Sequence, residues 1–465
     1  MSYLMAGTGR SDITPAPGTP QGGWGAQTHQ RGLGADFPFY ATALVLSEGD
    51  VSVAIIDVDS IGFDREFATK IVQGVADLTG IPSDHIRLSS SHTHSGANTF
   101  RLANISEGLE MVVRYLDSLP SRIAGAAWQA RQNLKRVRCA TGAGTCEIGV
   151  NRRFRAPDGR FVVGRNWSGP VDPAVRVLRF DDLDENPVAT IVHYACHPTT
   201  MAWQCQHFTP DYPGVMRHVV EQQVGGTCLF LQGAAGNIHT RRGHGGDLRI
   251  YRRWGKLLGL EASKVAIALE TLPRVERFEG VLQSGAAIAS YRDEPFEPED
   301  PCLGMISCDL KLPLREYPDP SKLEADVEKL REDLNHMRKE GTEEELRAAT
   351  ARVTQAGMQA EYARLYHGKI HVDWPLQAIR IGSAALLSIP GEPFIEISQQ
   401  IVERSPFRYT LFSGYSNGGF GYLPVRRAFE EGGYELQICP FSPDAADIVV
   451  SECAAVLKKL HSRTN

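Results

Sequence analysis

Two histidines separated by one residue stand in the segment SSSHTHSG, residues 89–96. The segment follows an apolar run, and in an extended chain the rings of His92 and His94 point to the same side. Two imidazoles at a strand end can bind one metal ion, or one can bind the metal while the other carries protons. The alternative is a structural role in which both rings are only hydrogen-bonded, and the motif alone does not decide between them.

Another histidine stands at the end of the apolar run VATIVHYACHPTTM, residues 188–201. His197 lies in the loop that follows this predicted strand, which is where sites form in open α/β sheets. His193 lies inside the run, and we expect it to pack in the sheet. A capped strand end with a hydrogen-bonded His197 is the alternative.

Two further candidates lie near the C-terminus. Glu392 follows a predicted strand and a Pro-Gly turn in SAALLSIPGEPF, and Tyr422 lies in the Gly-rich loop GYSNGGFGYLP. A carboxylate at a strand end suits a divalent metal, whereas an ordinary surface glutamate is the alternative. The Gly-rich turn LFLQGAAGN, residues 229–237, could present backbone amides to a pocket, but it lacks the spacing of a phosphate-binding loop.

Apolar runs with strand character alternate with helical patterns along the chain. This alternation predicts an α/β fold, with a mixed sheet layered with helices, in a single large catalytic domain. The predicted helices lie near 65–79, 108–134, 213–223, 248–270, 393–404 and 443–461. The predicted strands are Ala41–Leu46, Val51–Val58, Ile86–Ser90, Val175–Phe180, Val188–Tyr194, Cys228–Gln232, Leu376–Ile381, Ala384–Ile389 and Tyr409–Ser413.

The segment 295–368 differs from the rest of the chain. Apolar residues recur at helical spacing from Leu323 to Met337, and Thr342 with Glu345 fits a capping box at the start of a second helix. We therefore predict an inserted helical hairpin over 295–368, with residues 1–294 and 369–465 forming the catalytic domain. The hairpin contains few candidate catalytic residues.

Composition excludes several classes of protein. The chain has 465 residues, 42% hydrophobic and 22% charged, as expected of a globular protein, and its net charge of -6 disfavours binding to nucleic acid. No apolar run reaches the length of a transmembrane helix, no export signal is visible, and the nine cysteines show no CxxC pair. We expect a cytoplasmic protein with a small-molecule substrate; the sequence is compatible with a homo-oligomer but does not require one.

Several blocks taken together resemble the catalytic domain of the neutral/alkaline non-lysosomal ceramidases. They are GTGRSDITP near the start, SSSHTHSG, VNRR at 150–153, HPTTM, SIPGE, and a tyrosine pair twelve residues apart, and they occur in the family's order across nearly the whole chain. The resemblance implies a zinc-dependent hydrolase that cleaves an amide bond. By motif position it implies a Zn²⁺ site made of His92, His197, Glu392 and Tyr422.

The resemblance also implies residues that act on the substrate. His94 would lie beside the metal and carry a proton, while Arg152 and Tyr434 would face the scissile amide and stabilise the oxyanion. Zinc lowers the pKa of bound water from ~15.7 toward ~7, so that hydroxide is available at neutral pH.

The chain departs from the family pattern in two places. The family has a Gly-Asp-x-Ser-Pro-Asn loop whose serine is implicated in amide cleavage, whereas residues 233–237 read GAAGN, and no C-terminal immunoglobulin-like domain follows the catalytic blocks. We therefore expect activated water rather than serine as the nucleophile, no covalent acyl-enzyme, and a small amide, lactam or ester rather than ceramide as the substrate. The alternatives are a zinc-dependent lyase or isomerase acting on a carbonyl substrate, and a non-catalytic relative.

Overall fold

The computed structural model describes residues 3–100, 105–296, 303–419 and 421–462. Within these ranges the helices are α1 (Arg65–Thr79), α2 (Leu109–Gln132), α3 (Asp211–Val224), α4 (Leu248–Ala268), α5 (Pro320–Glu340), α6 (Glu343–Tyr366), α7 (Ile395–Arg404), α8 (Arg426–Glu431), α9 (Tyr434–Gln437) and α10 (Ala445–Ser462). The longer strands are β1 (Met5–Asp12), β4 (Tyr40–Glu48), β5 (Val51–Val58), β6 (Ile86–Ser90), β8 (Lys135–Thr145), β9 (Gly149–Arg155), β10 (Phe161–Asn166), β11 (Ala174–Asp182), β12 (Pro187–Tyr194), β14 (Thr227–Gln232), β16 (Arg274–Ser284), β17 (Ala286–Pro295), β18 (Leu303–Pro313), β19 (His371–Ile381), β20 (Ala384–Ser388) and β22 (Tyr409–Ser413). The short strands are β2 (Gln21–Gly22), β3 (Gly34–Ala35), β7 (Gly96–Ala97), β13 (His207–Phe208), β15 (Ile238–Thr240), β21 (Glu392–Pro393) and β23 (Tyr422–Leu423), and a 3-10 turn covers Ser83–His85.

Two sheets form the centre of the fold. The larger has the strand order β14-β12-β11-β8-β1-β4-β5-β6, and the smaller has the order β18-β19-β20-β22. Most neighbouring strands are antiparallel, but β12–β14, β5–β6 and β20–β22 are parallel pairs. The predicted fold class, a mixed sheet layered with helices, is confirmed.

Alternation along the strands places the sheets between two helical layers. On β5, Val53 and Ile55 lie in a core shared with Ile379 of β19, whereas Ala54 and Ile56 pack with α1 and α2. Helices α3 and α4 cover the other part of the larger sheet, and α7 and α10 cover the smaller one. Because successive side chains of a strand point to opposite faces, each sheet is buried on both sides.

Strand β1 was not predicted, and its glycines explain why. A Cβ added at Gly7 would lie 2.2 Å from the carbonyl oxygen of Ala130, and one at Gly9 would lie 2.1 Å from that of Ala126. Helix α2 therefore rests directly on the backbone of β1. Because glycines take the positions where the helix contacts the strand, β1 lacks the alternation of apolar residues that indicates a strand in the sequence.

The predicted helical hairpin is present as α5 and α6. Thr342 and Glu345 form the expected capping box at the start of α6. The predicted range 295–368 also contains β18, whose residues pair with β19 along its whole length, so the helical part is narrower than predicted. That the hairpin is an insertion into the catalytic domain stays a prediction.

No helix in the described part of the chain is long and apolar enough to cross a membrane. Cys302 lies outside the described residues, and the other eight cysteines are free thiols.

Candidate metal centre

The predicted metal ligands come together where several strands end. His92 lies two residues beyond β6, His197 three beyond β12, and Glu392 follows the turn after β20. Tyr422 is the register partner of Glu392 in the parallel pair β21–β23. Residues more than 300 positions apart in the sequence therefore meet at one edge of the fold, as expected for sites beyond the carboxyl ends of parallel strands.

Backbone carbonyls orient all three histidines. Nδ1 of His92 lies 2.5 Å from the oxygen of Ile61, Nδ1 of His197 lies 2.5 Å from that of Ala235, and Nδ1 of His94 lies 2.7 Å from that of Gly23. A carbonyl oxygen can only accept, so each Nδ1 carries the proton and donates it. In a neutral ring Nε2 is then left with a free lone pair, the arrangement that metal-binding histidines use.

These lone pairs converge on one point. Oε2 of Glu392 lies 3.0 Å from Nε2 of His197 and 3.6 Å from Nε2 of His92, which is 3.2 Å from Nε2 of His94. Within the described chain, His197 Nε2 and Glu392 Oε2 are buried without a hydrogen-bond partner. Acceptors that face one another repel unless a cation or a proton lies between them. Tetrahedral zinc, with bonds of about 2.0–2.1 Å, would hold its ligand atoms about 3.3 Å apart, which matches these separations.

The electrostatics agree with a cation site. Burial by itself would raise the pKa of Glu392, but the neighbouring His92 and His197 hold that pKa well below its usual range. Burial and the nearby Arg152 lower the pKa of His197 to about 4. The site therefore presents a carboxylate beside a neutral imidazole at neutral pH.

Two residues at the site have strained backbones. His92 has a φ of 66° and Tyr415 a φ of 57°, in the left-handed region that non-glycine residues rarely occupy. Such strain costs about 1–3 kcal/mol and persists where the surrounding structure enforces it. The ring of Tyr415 lies 4.3 Å from that of His92, centroid to centroid. Tyr415 was not among the predicted site residues; its place two residues beyond the end of β22 was the available signal.

His94 lies among the candidate metal ligands, although the sequence predicted it as a proton carrier beside the metal. The candidate ligand atoms of His92, His94 and His197 all lie within 4.8 Å of one another. Burial, followed by the proximity of His92 and His197, holds the pKa of His94 well below its usual value. His94 stays a predicted proton carrier, and the geometry adds a competing role as a ligand.

Arg152 belongs to a buried ion-pair network. Its Nε donates to Oε1 of Glu435 at 2.8 Å, and Nη1 of Arg153 donates to Oε2 of the same carboxylate at 2.9 Å. The guanidinium carbon of Arg152 lies 5.2 Å from the ring centroid of Tyr422. Among the described residues, Nη2 of Arg152 is buried and finds no hydrogen-bond partner. Arg152 is therefore held in place by Glu435 and keeps Nη2 as a donor without a partner among the described residues; it is not a solvated surface charge.

The two predicted tyrosines lie side by side. The rings of Tyr422 and Tyr434 are 5.9 Å apart, and the ring of Tyr422 lies 6.4 Å from that of His197. Tyr422 is buried, and burial raises its pKa well above the usual value, which opposes the phenolate form that a strong metal ligand needs. Tyr434 is 42% exposed and is one of the residues that line the cavity at the site.

A cavity of about 1230 Å³ opens above these residues. It is larger than the ~300–1,000 Å³ of typical ligand pockets. The helical hairpin, which was predicted to contain few candidate catalytic residues, forms part of its wall, through Val327 of α5 and Thr354 and Met358 of α6. Other lining residues, which no motif singled out, include Trp24, Phe67, Phe100 and Trp203.

The loop 233–237 has a structural function that the sequence did not reveal. Ala235 accepts the hydrogen bond from His197, and Gly236 donates its backbone N–H to the oxygen of Pro393 at 2.9 Å. A Cβ at Gly236 would lie 2.4 Å from the oxygen of Glu392. This loop thus holds two candidate ligands in place, instead of presenting its amides to the pocket.

His193, His239 and Asp211, which the sequence also brought into question, are all buried. His193 is buried with Nε2 3.0 Å from the oxygen of Phe412, which confirms its predicted place in the sheet. His239 is buried with its Nδ1 3.3 Å from Nε2 of His244, so it is not an exposed loop residue. Asp211 accepts backbone N–H groups of Thr200 and Met201 and thereby anchors the loop after His197.

The sequence of the chain is similar to known ceramidases. A family model for the N-terminal part of neutral/alkaline non-lysosomal ceramidases matches residues 3–235. Neutral ceramidase B of Dictyostelium discoideum is 27% identical over 234 residues, which cover 48% of this chain and 32% of that protein. For neutral ceramidase A of the same organism, the identity is 26% over 242 residues, with 48% and 33% covered. The match thus spans about a third of the length of these curated relatives.

Solved structures extend the similarity of fold beyond the matched sequence. The crystal structure of neutral ceramidase from Pseudomonas aeruginosa superposes with a TM-score of 0.69 at 17% identity, covering 99% of this chain and 75% of that one. A ceramidase complexed with C2 gives a TM-score of 0.66 at 18% identity, covering 100% and 77%. Glu392, Tyr422 and Tyr434 lie in the part where only the fold is matched. The family match over half of the chain shows that this protein belongs to the neutral/alkaline non-lysosomal ceramidase family.

Proposed function

We propose that the protein is a zinc-dependent hydrolase that cleaves a carbon–nitrogen amide bond, other than a peptide bond, with water as the nucleophile. The observation that carries this proposal is the convergence of histidine lone pairs and the Glu392 carboxylate on one point without donors between them. The family relationship supports amide hydrolysis as the reaction.

We assign His92, His197 and Glu392 as the residues that hold the ion. Imidazole nitrogen and carboxylate oxygen are ligands that zinc prefers, and each histidine is fixed through Nδ1 by a backbone carbonyl. Tyr422 or His94 would complete the set. When bound, the ion polarises a carbonyl oxygen and lowers the pKa of water.

His94 is the residue that we propose to move the proton. Its Nδ1–H is held by the oxygen of Gly23, so Nε2 is aimed at the point where the other ligand atoms meet. From there it can accept the proton of the attacking water and return it to the nitrogen of the leaving amine. The ring of Trp24, 5.3 Å away, restricts its rotation.

Arg152 and Tyr434 would stabilise the oxyanion. Arg152 keeps one buried donor nitrogen without a partner among the described residues, while Glu435 fixes the guanidinium plane. Tyr434 adds a hydroxyl at the cavity surface. Donors that are already oriented in a site shielded from water stabilise developing negative charge without reorganising.

We propose water as the nucleophile because the loop 233–237 contains no serine, and its groups are used to hold His197 and Glu392. The cavity has room for more than a minimal amide. The names of the curated relatives identify ceramidases. Substrate assays should therefore compare small amides, lactams and esters with amides that carry an acyl chain.

Hydrolysis in oxygen-18 water tests the proposal. We expect one label in the product acid, and metal analysis should find one zinc per chain in the wild type and much less in His197→Ala. A product without label, or formed without water, would instead support a lyase or isomerase. Less than one ion per chain in active wild-type protein would refute the metal-dependent mechanism.

A further inference from the structure

A fully buried arginine lies between the two sheets. Arg87 belongs to β6, the edge strand of the larger sheet, and its side chain has no exposed area. Arginine is almost never buried in this way without an ionic partner. Burial lowers the pKa of Arg87 to about 9, and the charge of Asp57 opposes this shift. The guanidinium is therefore still charged at neutral pH.

The hydrogen-bond partners of Arg87 are three serine hydroxyls. Its Nε donates to Oγ of Ser388 at 2.5 Å, and its Nη2 donates to Oγ of Ser413, also at 2.5 Å. Its Nη1 donates to Oγ of Ser89 at 2.6 Å. We call Ser89, Ser388 and Ser413 the serine cradle. A costly buried charge is thus spent on neutral acceptors, which calls for a reason other than ion pairing.

The serine cradle joins strands from both sheets. Ser89 lies on β6 with Arg87, whereas Ser388 and Ser413 are the last residues of β20 and β22 in the smaller sheet. Ser388 and Ser413 are register partners in the parallel pair of these strands. A guanidinium holds its donors in one rigid plane, so three bonds to it fix the relative positions of the three strand ends.

Two of these strand ends lead directly to candidate metal ligands. Ser89 stands three residues before His92, and Ser388 stands four residues before Glu392. Short segments of this length leave the ligands little freedom once the strand ends are fixed. The bonds of Arg87 therefore act on the spacing between the His92 ring and the Glu392 carboxylate.

Tyr415 connects the same segments one step nearer to the site. It follows Ser413 by two residues, and its backbone carbonyl accepts the N–H of Ser90 at 3.0 Å. Its own N–H donates to the oxygen of Gly391, the residue before Glu392, at 2.9 Å. The left-handed backbone of Tyr415 is thus held between the two segments that carry ligands.

A third ligand is reached through Ser413. Its hydroxyl accepts from Arg87 and donates to the oxygen of Gln232 at 2.7 Å. Gln232 is the last residue of β14, and the loop 233–237 follows it. That loop holds the ring of His197 through the oxygen of Ala235. One side chain is therefore linked to the segments of three candidate ligands.

We propose that Arg87 is a positioning residue for the metal centre, which acts through the serine cradle to set the spacing of His92, His197 and Glu392. The inference deepens the proposed function and rests on it for the identity of the ion. An apolar side chain would fill the same space but could not tie the three strand ends together. Metal sites demand ligand positions accurate to about 0.2 Å, and such accuracy is the reason for keeping a buried charge here.

Arg87→Lys tests the positioning role. Lysine keeps the charge but replaces the planar group with a single ammonium, which cannot reproduce the three bonds. We expect zinc to bind about 10–100-fold more weakly, as with other groups that support metal ligands, measured by competition with a zinc-binding dye on folded protein. The matched control is Arg10→Lys. Arg10 also bridges several elements, through Thr42, Glu221 and the oxygen of Cys228 near the start of β14, and its replacement should leave zinc affinity unchanged.

Ser388→Ala is a milder variant that tests the cradle even if Arg87→Lys does not fold. It removes one acceptor and should weaken zinc binding by itself. In the Arg87→Lys background it should add little, because groups that act in one network are not additive. Its control is Ser263→Ala, since that hydroxyl bonds to Gly259 within α4, and zinc binding should not change.

The ring N–H signal of His92 in NMR spectra of the metal-free protein provides a readout that needs neither the ion nor turnover. Nδ1–H of His92 is held by the oxygen of Ile61, and we expect its signal to shift or broaden in Arg87→Lys and Ser388→Ala but not in Arg10→Lys or Ser263→Ala. Unchanged zinc affinity and an unchanged His92 signal in the first two variants would overturn the proposal. Equal losses in Arg10→Lys would overturn it as well, because they would reflect stability alone. A wild type that binds no zinc would refute the proposed function, while the His92 signal would still decide the role of Arg87.

Discussion

Replacing His94 with glutamine tests the division of labour at the metal centre. The ring of His94 is held by the oxygen of Gly23 at 2.7 Å, and its Nε2 lies 3.2 Å from Nε2 of His92. Glutamine retains a polar side chain that can hydrogen-bond, but it cannot accept and release a proton near neutral pH. His94→Gln therefore removes proton transfer with little change in volume.

The size of the effect follows from the role. A positioned acid–base group contributes about 10²–10⁴-fold to a rate, which is about 2.7–5.5 kcal/mol of barrier at 1.36 kcal/mol per tenfold. If His94 is instead a ligand, the first effect is on metal affinity, and the loss of activity should be restored in part by added zinc. The two roles thus predict different responses to the same substitution.

The assay is turnover of an accepted amide together with zinc content after dialysis. For His94→Gln we expect a fall in kcat of about 10²–10⁴-fold with zinc content unchanged. His218→Gln, the same substitution at an exposed position of α3, should match the wild type in both measurements. Normal turnover in His94→Gln would refute the proton-transfer role, and zinc lost in proportion to activity would reassign His94 as a ligand.

Three further predictions concern the framework of the site. Glu435→Gln leaves the buried guanidinium of Arg152 without its carboxylate, while Arg153 keeps Glu431, and should lower the free energy of unfolding by about 3–5 kcal/mol, measured by urea denaturation. A smaller loss than about 1 kcal/mol would show that the network is not a buried ion pair. Gly9→Ala places a methyl group 2.1 Å from the oxygen of Ala126 and should destabilise the fold by about 1–3 kcal/mol, whereas Gly125→Ala, where a Cβ meets no atom within 4 Å, should stabilise it by up to about 1 kcal/mol. Equal effects of the two would contradict the close packing of α2 on β1. Burial and the charge of Arg176 lower the pKa of His193 to about 4, below the 6.5 of the unfolded state. The neutral histidine therefore contributes about 3 kcal/mol to the free energy of unfolding. This stabilisation is complete above pH 6.5 and is lost as the pH falls toward 4. His193→Gln should flatten the pH dependence of unfolding in that window, and an unchanged slope would refute the assignment.

The strands and helices that the sequence predicted are those with a clear apolar period. All nine predicted strands and the six predicted helices are present, since alternating or helical burial is recorded directly in the order of the residues. The longer strands that were not predicted are β1, β8, β9, β10, β16, β17 and β18. Strand β1 has glycines where a helix lies on its backbone, and β18 lies inside a segment that was classified by its helices. These two strands are defined by their neighbours in space.

The candidate ligands were predicted from blocks of sequence, and the structure places Nε2 of His197 3.0 Å and Nε2 of His92 3.6 Å from Oε2 of Glu392. Their chemical roles stay predictions. Trp24 and the walls supplied by α5 and α6 could not be predicted, because they belong to the site only through contacts between distant segments. The same holds for the loop 233–237, whose function is to position His197.

The sequence by itself determined that the chain is an α/β protein with histidines at strand ends, and its motif order indicated the family. These properties are local, because periodicity and short motifs depend on neighbours in the chain. Only the tertiary structure decided that His94 stands as close to the cluster as the ligands do, that Arg152 is buried with a spare donor, and that the helical hairpin lines the cavity. Those properties depend on distances between residues far apart in the sequence, which are set when the sheets and helices pack.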